Sequence, residues 1–435
     1  MATTEETSRA AVAELAAYQT SLRGPSWLRE LQERARASFE SISWPTTSEE
    51  EWRRTNLSPF EFEIYRTYAI AAHAAPEPVD SLPGEAPRSA FLHYRDGVLL
   101  SSRIERTTAE RGVIVADITT IPESSAAGEA AKKALEKMLE SADNRLQYWN
   151  LALANGAAFV YVPKDVVVEQ PVEIFYEADG DEQVLAPLTV IVAETGASVS
   201  IVRRFQTSED EGEVLVVDGN ATVIGANARV RLVDLQRLND ESLFFSNGEG
   251  YLERDSYVHR TELSIGADFA KTRFDASLEG PGSDAVLNGI YFAEEEQHMD
   301  IRTVQRHRAP NALSRAFYRG AVRDESHAIY QGLIDVAAKA PGTDAYLTNK
   351  NLILTEEARA DSIPSLNIKT DDVRCSHGST TGKLDEKQIY YLQTRGYPER
   401  EAKRTLIEGY FEDLVVQLPE DLRDEIRELV AQRIP

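Results

Sequence analysis

The chain holds 435 residues, with 72 acidic side chains against 47 basic ones and a formal charge of −25. Nucleic-acid binding needs a Lys/Arg surface that displaces counterions from phosphate, and no basic patch interrupts this acidic sequence, so that class of function is excluded. Hydrophobic residues at 42% and charged residues at 27% lie near the averages of folded proteins, which assigns the acidity to the surface of a globular molecule and not to a disordered tail.

At roughly 150 residues per domain the length predicts two or three folded units. One cysteine, Cys375, rules out an intrachain disulfide and fits a reducing, intracellular compartment. The opening run MATTEETSRAAVAEL lacks the basic and then apolar order of a secretory signal. The longest apolar stretch, Val184 to Ala193, is interrupted by Pro187 and falls well short of the roughly 20 residues that cross a bilayer. The expectation is a soluble, cytoplasmic protein with no membrane contact.

From Thr7 to about Phe39 apolar residues recur at helical spacing, first Val12, Leu15, Ala16 and Leu22, then Trp27, Leu28 and Leu31, so two amphipathic helices are predicted on either side of Gly24-Pro25. Pro45 followed by Ser48, Glu49, Glu50, Glu51 and Trp52 reads as a further helix start with acids in its first turn. Ala74 to Pro87, rich in Pro and Ala, reads as a connector. Ser124 to Trp149 is helical in composition.

The character changes at Asn155-Gly156. From Ala157 to Asn367 the chain becomes a succession of short Val, Ile, Phe and Leu runs separated by Gly, Asn and Asp. Three phrases beginning at Gly196, Gly225 and Gly266 each open a new strand and look like worn copies of one turn. Such a region suits a β-solenoid, whose coils bury their apolar faces by stacking on their neighbours. A pair of β-sandwiches is the competing architecture, and the irregular spacing leaves both open. After Thr381 the helical period returns: Asp385 to Thr394 ends at Gly396, Ala402, Leu406, Tyr410 and Leu414 follow at every fourth residue, and Leu422, Ile426, Leu429 and Val430 form a last stripe. The organisation predicted is a mostly helical region over 1–150, a β core over 151–380 and a helical module over 381–435.

Two nucleotide-binding look-alikes fail on inspection. Gly378 to Leu384 (GSTTGKL) has three residues between its glycines instead of four, and Leu384 where a Mg²⁺-binding hydroxyl is required, so it is no P-loop and no direct ATP binding is expected. Gly280 to Ala285 matches G-x-G-x-x-A but leads into a strand-like run, not the helix that would hold a pyrophosphate. His298 with Asp300, and Asp324 with His327, are His/Asp neighbours that a β-helix carbohydrate-active enzyme would use as acid and base, although no spacing singles them out from ordinary surface polar residues.

The segment Asp371 to Gly378 (DDVRCSHG) carries the most specific chemistry. If it is extended, Cys375 and His377 are two apart and share a face, so thiolate and imidazole are placed for one soft or borderline metal. Two ligands do not complete a site, and the chain has no second cysteine. Either Cys375 is a small buried residue beside a surface histidine, or another chain completes the coordination.

The run NKNLIL from Asn349, ARADSIPSLNI from Ala358 to Ile368, and Asp371 to Val415 (DDVRCSHGSTTGKLDEKQIYYLQTRGYPEREAKRTLIEGYFEDLV) resemble the SufB/SufD family of iron–sulfur cluster assembly proteins. His307 to Val336 and EEEWRRTNLSPF, from Glu49 to Phe60, extend the resemblance. With Cys375 alone, the chain is more similar to the SufD type, since SufB-type subunits carry several cysteines. The resemblance implies a mainly β fold, a right-handed parallel β-helix flanked by N- and C-terminal helical regions. It also implies a scaffold that is not itself an enzyme. Such a subunit pairs through its β-helix with a SufB-type paralogue, binds the SufC ATPase through its C-terminal helices, and passes a transient, shared iron–sulfur cluster to apoprotein acceptors. Under it, Cys375 and His377 become cluster ligands at the subunit interface, and Tyr390, Leu392, Arg395, Leu406, Tyr410, Phe411 and Leu414 become contacts for SufC. A reduced flavin in the complex is compatible with it, and so is a purely structural adaptor of that complex.

Overall fold

The computed structural model describes residues 24–62, 65, 87–178, 180–208 and 212–434. The predicted helix before Gly24 and nearly all of the Ala74 to Pro87 connector lie outside them. The described chain is mainly β, a parallel solenoid of about 8 turns with helices before and after it.

Two ten-stranded sheets face one another. The first comprises β1 (Ala90–Arg95), β2 (Val98–Ile104), β5 (Val172–Ala178), β8 (Ser198–Thr207) and β10 (Arg229–Arg237), continued by β12 (Tyr257–Ser264), β14 (Asp284–Ala293), β16 (Leu313–Val322), β18 (Thr343–Ile353) and β20 (Val373–Gly382). The second comprises β3 (Ile114–Asp117), β4 (Ala157–Val162), β6 (Gln183–Leu185), β7 (Leu188–Ala193) and β9 (Val214–Ile224), continued by β11 (Leu243–Leu252), β13 (Phe269–Leu278), β15 (His298–His307), β17 (His327–Val336) and β19 (Arg359–Ile368). From β9 onward the chain alternates strictly between sheets, so each strand pairs in parallel with the strands two before and two after it. This arrangement decides for the solenoid against the sandwich pair.

Of the three recurring turn phrases, those at Gly196 and Gly225 share one corner, from second to first sheet, whereas the Gly266 phrase lies at the opposite corner, where Ala267 has φ +69°. At the corner from second to first sheet, Gly196, Asn227, Asp255, Gly282, Asn311 and Gly342 all have φ between +56° and +72°. These residues recur with a period of about 30 and are the types that adopt left-handed backbone at least cost. They also stack: the N–H groups of Asn311 and Gly342 donate to the carbonyls of Pro341 and Asp372 one coil on. Gly280 to Ser283 is one such corner leading into β14, and Gly378 to Gly382 is extended strand in β20.

Because side chains alternate along a strand, one set enters the lumen and the other faces outward. The lumen is mostly Val, Leu, Ile and Ala, with aromatic rings fitted over glycines: a Cβ on Gly320 would lie 1.9 Å from the Tyr291 ring. It also holds a charged column. Arg203, 1% exposed, bridges Asp218 at 3.0 Å and Asp234 at 2.7 Å, and Arg260 binds Asp234 at 2.8 Å and Glu262 at 3.0 Å. Burial disfavours charge on both aspartates. The paired guanidiniums of Arg203 and Arg260 overcome it at Asp234, which is held below the usual carboxylate range, whereas Asp218 stays above it.

The outer faces are covered separately. On the second sheet lie α1 (Ser26–Ser41), α3 (Ala126–Ser141) and α4 (Arg145–Leu153), packed through Trp27, Phe39 and Trp149 against Phe245 and Phe269, while the short α2 (Arg106–Glu110) follows β2. The single helical stretch expected from Ser124 to Trp149 is two helices, because Asn144 accepts from the N–H groups of Leu146 and Gln147 and caps a new start. Strands β1 to β3 stand where a helical region was expected. The segment after Pro45 is a set of turns, not a helix. It crosses the second sheet with its Glu51 carbonyl bonded by Gln331 (2.9 Å), Trp52 under the Lys271 ammonium, and Thr55 bonded to Asp300.

The first sheet is covered by the C-terminal helices α6 (Glu399–Val415) and α7 (Glu420–Gln432). Ile407, Phe411, Leu414, Leu422, Ile426 and Leu429 meet Val233, Leu235, Leu263, Ile290 and Phe292 of the sheet. Arg204 grips Glu425 with bonds of 2.5 and 2.9 Å, and Arg319 holds Asp413 at 2.5 Å.

Candidate functional site at the open end of the solenoid

The two ends of the solenoid are built differently. At the first end β2 turns back antiparallel on β1, and β3 lies antiparallel on β4. At the other end β19 and β20, ten residues each, are the outermost strands of their sheets among the described residues, and each has one edge with no described strand beside it. Pro364 sits mid-strand in β19, a position proline tolerates on an edge because no outer ladder needs its missing N–H.

Register fixes what this end displays. Cys375, His377, Ser379 and Thr381 align with Ala345, Leu347, Asn349 and Asn351, which point into the lumen and are at most 3% exposed. The four residues of β20 therefore occupy the lumen side of a coil on which, among the described residues, no further coil is stacked. Cys375 is half-buried against the core and His377 is exposed. The structure thus brings the two predicted ligands to one face of one strand. On β19, Leu366 and Ile368 are 41% and 36% exposed on the corresponding side. Their alternation in ARADSIPSLNI was the available signal for an apolar rim, but sequence does not reveal that no strand lies beyond them.

Burial pushes the Cys375 thiol above its ordinary value; a backbone hydrogen bond at Ala345 opposes this, and the Asp344 carboxylate adds to it. A thiol so placed favours its protonated form. Among the described residues no three His, Cys, Asp or Glu side chains gather closely enough to hold a metal ion.

His259, His298 and His307 are each held near pKa 4, chiefly by burial. Asp300 is held by Lys271 at 2.7 Å and by Thr55 and Gln331, while His327 lies 3.2 Å from Asp361 and not beside Asp300 or Asp324.

The helical residues divide sharply. Helix α5 (Glu386–Thr394), capped by the Asp385 carboxylate on the Lys387 N–H (2.8 Å), buries none of its residues. Tyr390 is 69% exposed, Leu392 is half-buried and Arg395 is exposed. The expectation that Phe411 and Leu414 offer themselves to a partner is corrected: they are 1% and 3% exposed and face the chain's own first sheet. Tyr410 is half-buried with its hydroxyl bonded to the Lys350 carbonyl at 2.6 Å, and Leu406 is half-buried. An apolar stripe reports that a helix face is covered, not by what.

Fold and site together define a parallel β-solenoid with one closed end and one open end that displays Cys375 and His377. Residues 175–410 match the family model for the SUF system FeS cluster assembly SufBD core domain, and residues 19–174 match that for the SufBD protein N-terminal region. An iron-sulfur cluster assembly SufBD family protein of Mycobacterium tuberculosis is 30% identical over 273 residues, covering 61% of this chain and 67% of that protein. One of Staphylococcus aureus is 23% identical over 426 residues, covering 93% of this chain and 89% of that protein. The chain belongs to the SufBD family of iron–sulfur cluster assembly proteins. Among its described residues no helix is long and apolar enough to cross a membrane.

Proposed function

We propose that this chain is a SufD-type scaffold subunit that pairs through β19 and β20 with a cysteine-rich SufB-type paralogue, the iron–sulfur cluster being cargo assembled between them. One observation carries this reading: Cys375 and His377 stand on the lumen side of an uncapped coil, beside exposed Leu366 and Ile368 and two unpaired strand edges. Such an end is a template for another chain's strands. An incomplete ligand pair there is useful only if the partner donates the rest, which agrees with a single cysteine in 435 residues.

ATP hydrolysis belongs in this reading to SufC, and the docking element for it is α5, with Tyr390, Leu392 and Arg395. Residues 383–385 alone separate α5 from β20. Since α6 and α7 are fixed to the first sheet by a shared core and by Arg204 and Arg319, a pull on α5 passes into the strand carrying His377. The compartment is cytoplasmic, where a lone thiol stays reduced, and the completed cluster leaves to apoprotein acceptors.

The test is reconstitution with both partners. His377→Ala is expected to leave complex formation intact and reduce cluster yield. Undiminished yield contradicts the ligand role and favours a purely structural adaptor.

A further inference from the structure

A second site stands apart from the open lumen. On the outer face of the first sheet, where α6 crosses β16 and β18, lies a cavity of about 340 Å³. Its floor is set by register. Arg319 of β16 lies beside Lys350 of β18, and Phe317 lies beside Thr348. Lys350 in turn neighbours Thr380 of β20, and Thr348 neighbours Gly378. The far wall is Asp413 and Leu414 of α6.

The charges do not balance. Like charges on adjacent strands repel, and Arg319 is neutralised by Asp413 at 2.5 Å and donates to the Tyr410 carbonyl. Lys350 takes part in no ion pair among the described residues, in a protein whose formal charge is −25. Asp413 is the single acid in the lining, against two cations. Beside them the rings of Phe317 and Tyr346, with centroids 6.2 Å apart and planes tilted by 58°, supply an apolar wall, and on the β20 side Gly378 has no side chain, with the hydroxyls of Tyr346 and Thr348 beside it. An unpaired cation, convergent hydroxyls and aromatic walls in a cavity of this size are the components of a small-ligand site.

We propose that this cavity binds a phosphorylated compound with a planar ring, of mononucleotide size. Its phosphate lies against Lys350 and the Arg319 edge, and its ring lies against one side of the tilted Phe317–Tyr346 pair. The site is independent of the cluster-bearing face and of the partner assignment.

Calorimetric titration of the full chain with adenosine 5′-monophosphate, adenosine and inorganic phosphate tests it. The monophosphate is expected to bind roughly tenfold more tightly than either fragment, the size of one charge-assisted contact. Lys350→Gln, on the exposed surface, is expected to remove that advantage, and Lys387→Gln on α5 to leave it unchanged. Absence of monophosphate binding, equal binding of adenosine, or an unaltered affinity in Lys350→Gln overturns the proposal. So does a Lys350→Gln variant that weakens capture of a protein partner while monophosphate affinity is unchanged, which would reassign the cation pair to a macromolecular contact.

Discussion

The middle of the solenoid and its last coil share one backbone plan and differ in what covers them. In the middle, lumen side chains are sealed by coils on both sides and by helices outside, so even charged groups such as Arg203 and Asp218 are held almost wholly away from water. In the last coil the same inward positions carry Cys375, His377, Leu366 and Ile368, and they meet solvent. Identical geometry therefore yields a sealed core in one place and a solvent-facing surface in the other, and substitutions at equivalent lumen positions should separate the two.

The largest effect on stability is expected deep in the column. Arg203→Ala leaves Asp218 and Asp234 without their shared cation, and breaking a buried ion network in this way costs about 3–5 kcal/mol. Denaturant unfolding measures it; a loss below about 1 kcal/mol would show that water enters the lumen there. Phe411→Ala, in the core shared by α6 and the first sheet, is expected to cost about 3 kcal/mol or slightly more. Tyr390→Ala on α5 is expected to change stability by no more than about 0.5 kcal/mol. Equal losses for the two would contradict the division between anchored and free helices.

Acid sharpens the contrast further. His259, His298 and His307 have folded values near 4 against an ordinary 6.5. Between those limits the unfolded chain binds more protons than the folded one, so these groups withdraw stability as the pH falls from 6.5 to about 4 and change nothing further below it. Replacing His307 by Gln is expected to flatten that part of a pH-dependent unfolding curve. The smallest effect on stability is expected at the open end: Leu366→Lys should unfold within about 0.5 kcal/mol of the parent yet lose association with the SufB-type subunit. Retained association would move the interface elsewhere.

Much of the fold was legible because its signals are local. Left-handed corners demand Gly, Asn or Asp, and Gly196 and Gly282 announce them; Asp385, Gly396 and Pro398 punctuate the C-terminal helices. The hairpin of β1 and β2 has its own signal, Asp96-Gly97 between apolar runs. It was hidden by reading residues 1–150 through their overall composition. The pairing of Cys375 with His377 followed from a two-residue spacing, since alternation along a strand is fixed. What was not legible depends on long-range register: that Asp300 is pinned by Lys271 and Thr55, that Phe411 turns toward β14, and that β19 and β20 have no neighbour beyond them among the described residues.

The central claim is that the open coil is where this chain meets its paralogue. Hydrogen exchange of the chain alone and in complex with the SufB-type subunit measures it directly. Protection gained across Arg359–Ile368 and Val373–Gly382, with the lumen strands β9 to β13 unchanged, is the predicted result; an interface that leaves both edge strands exchanging as in the free chain would contradict it.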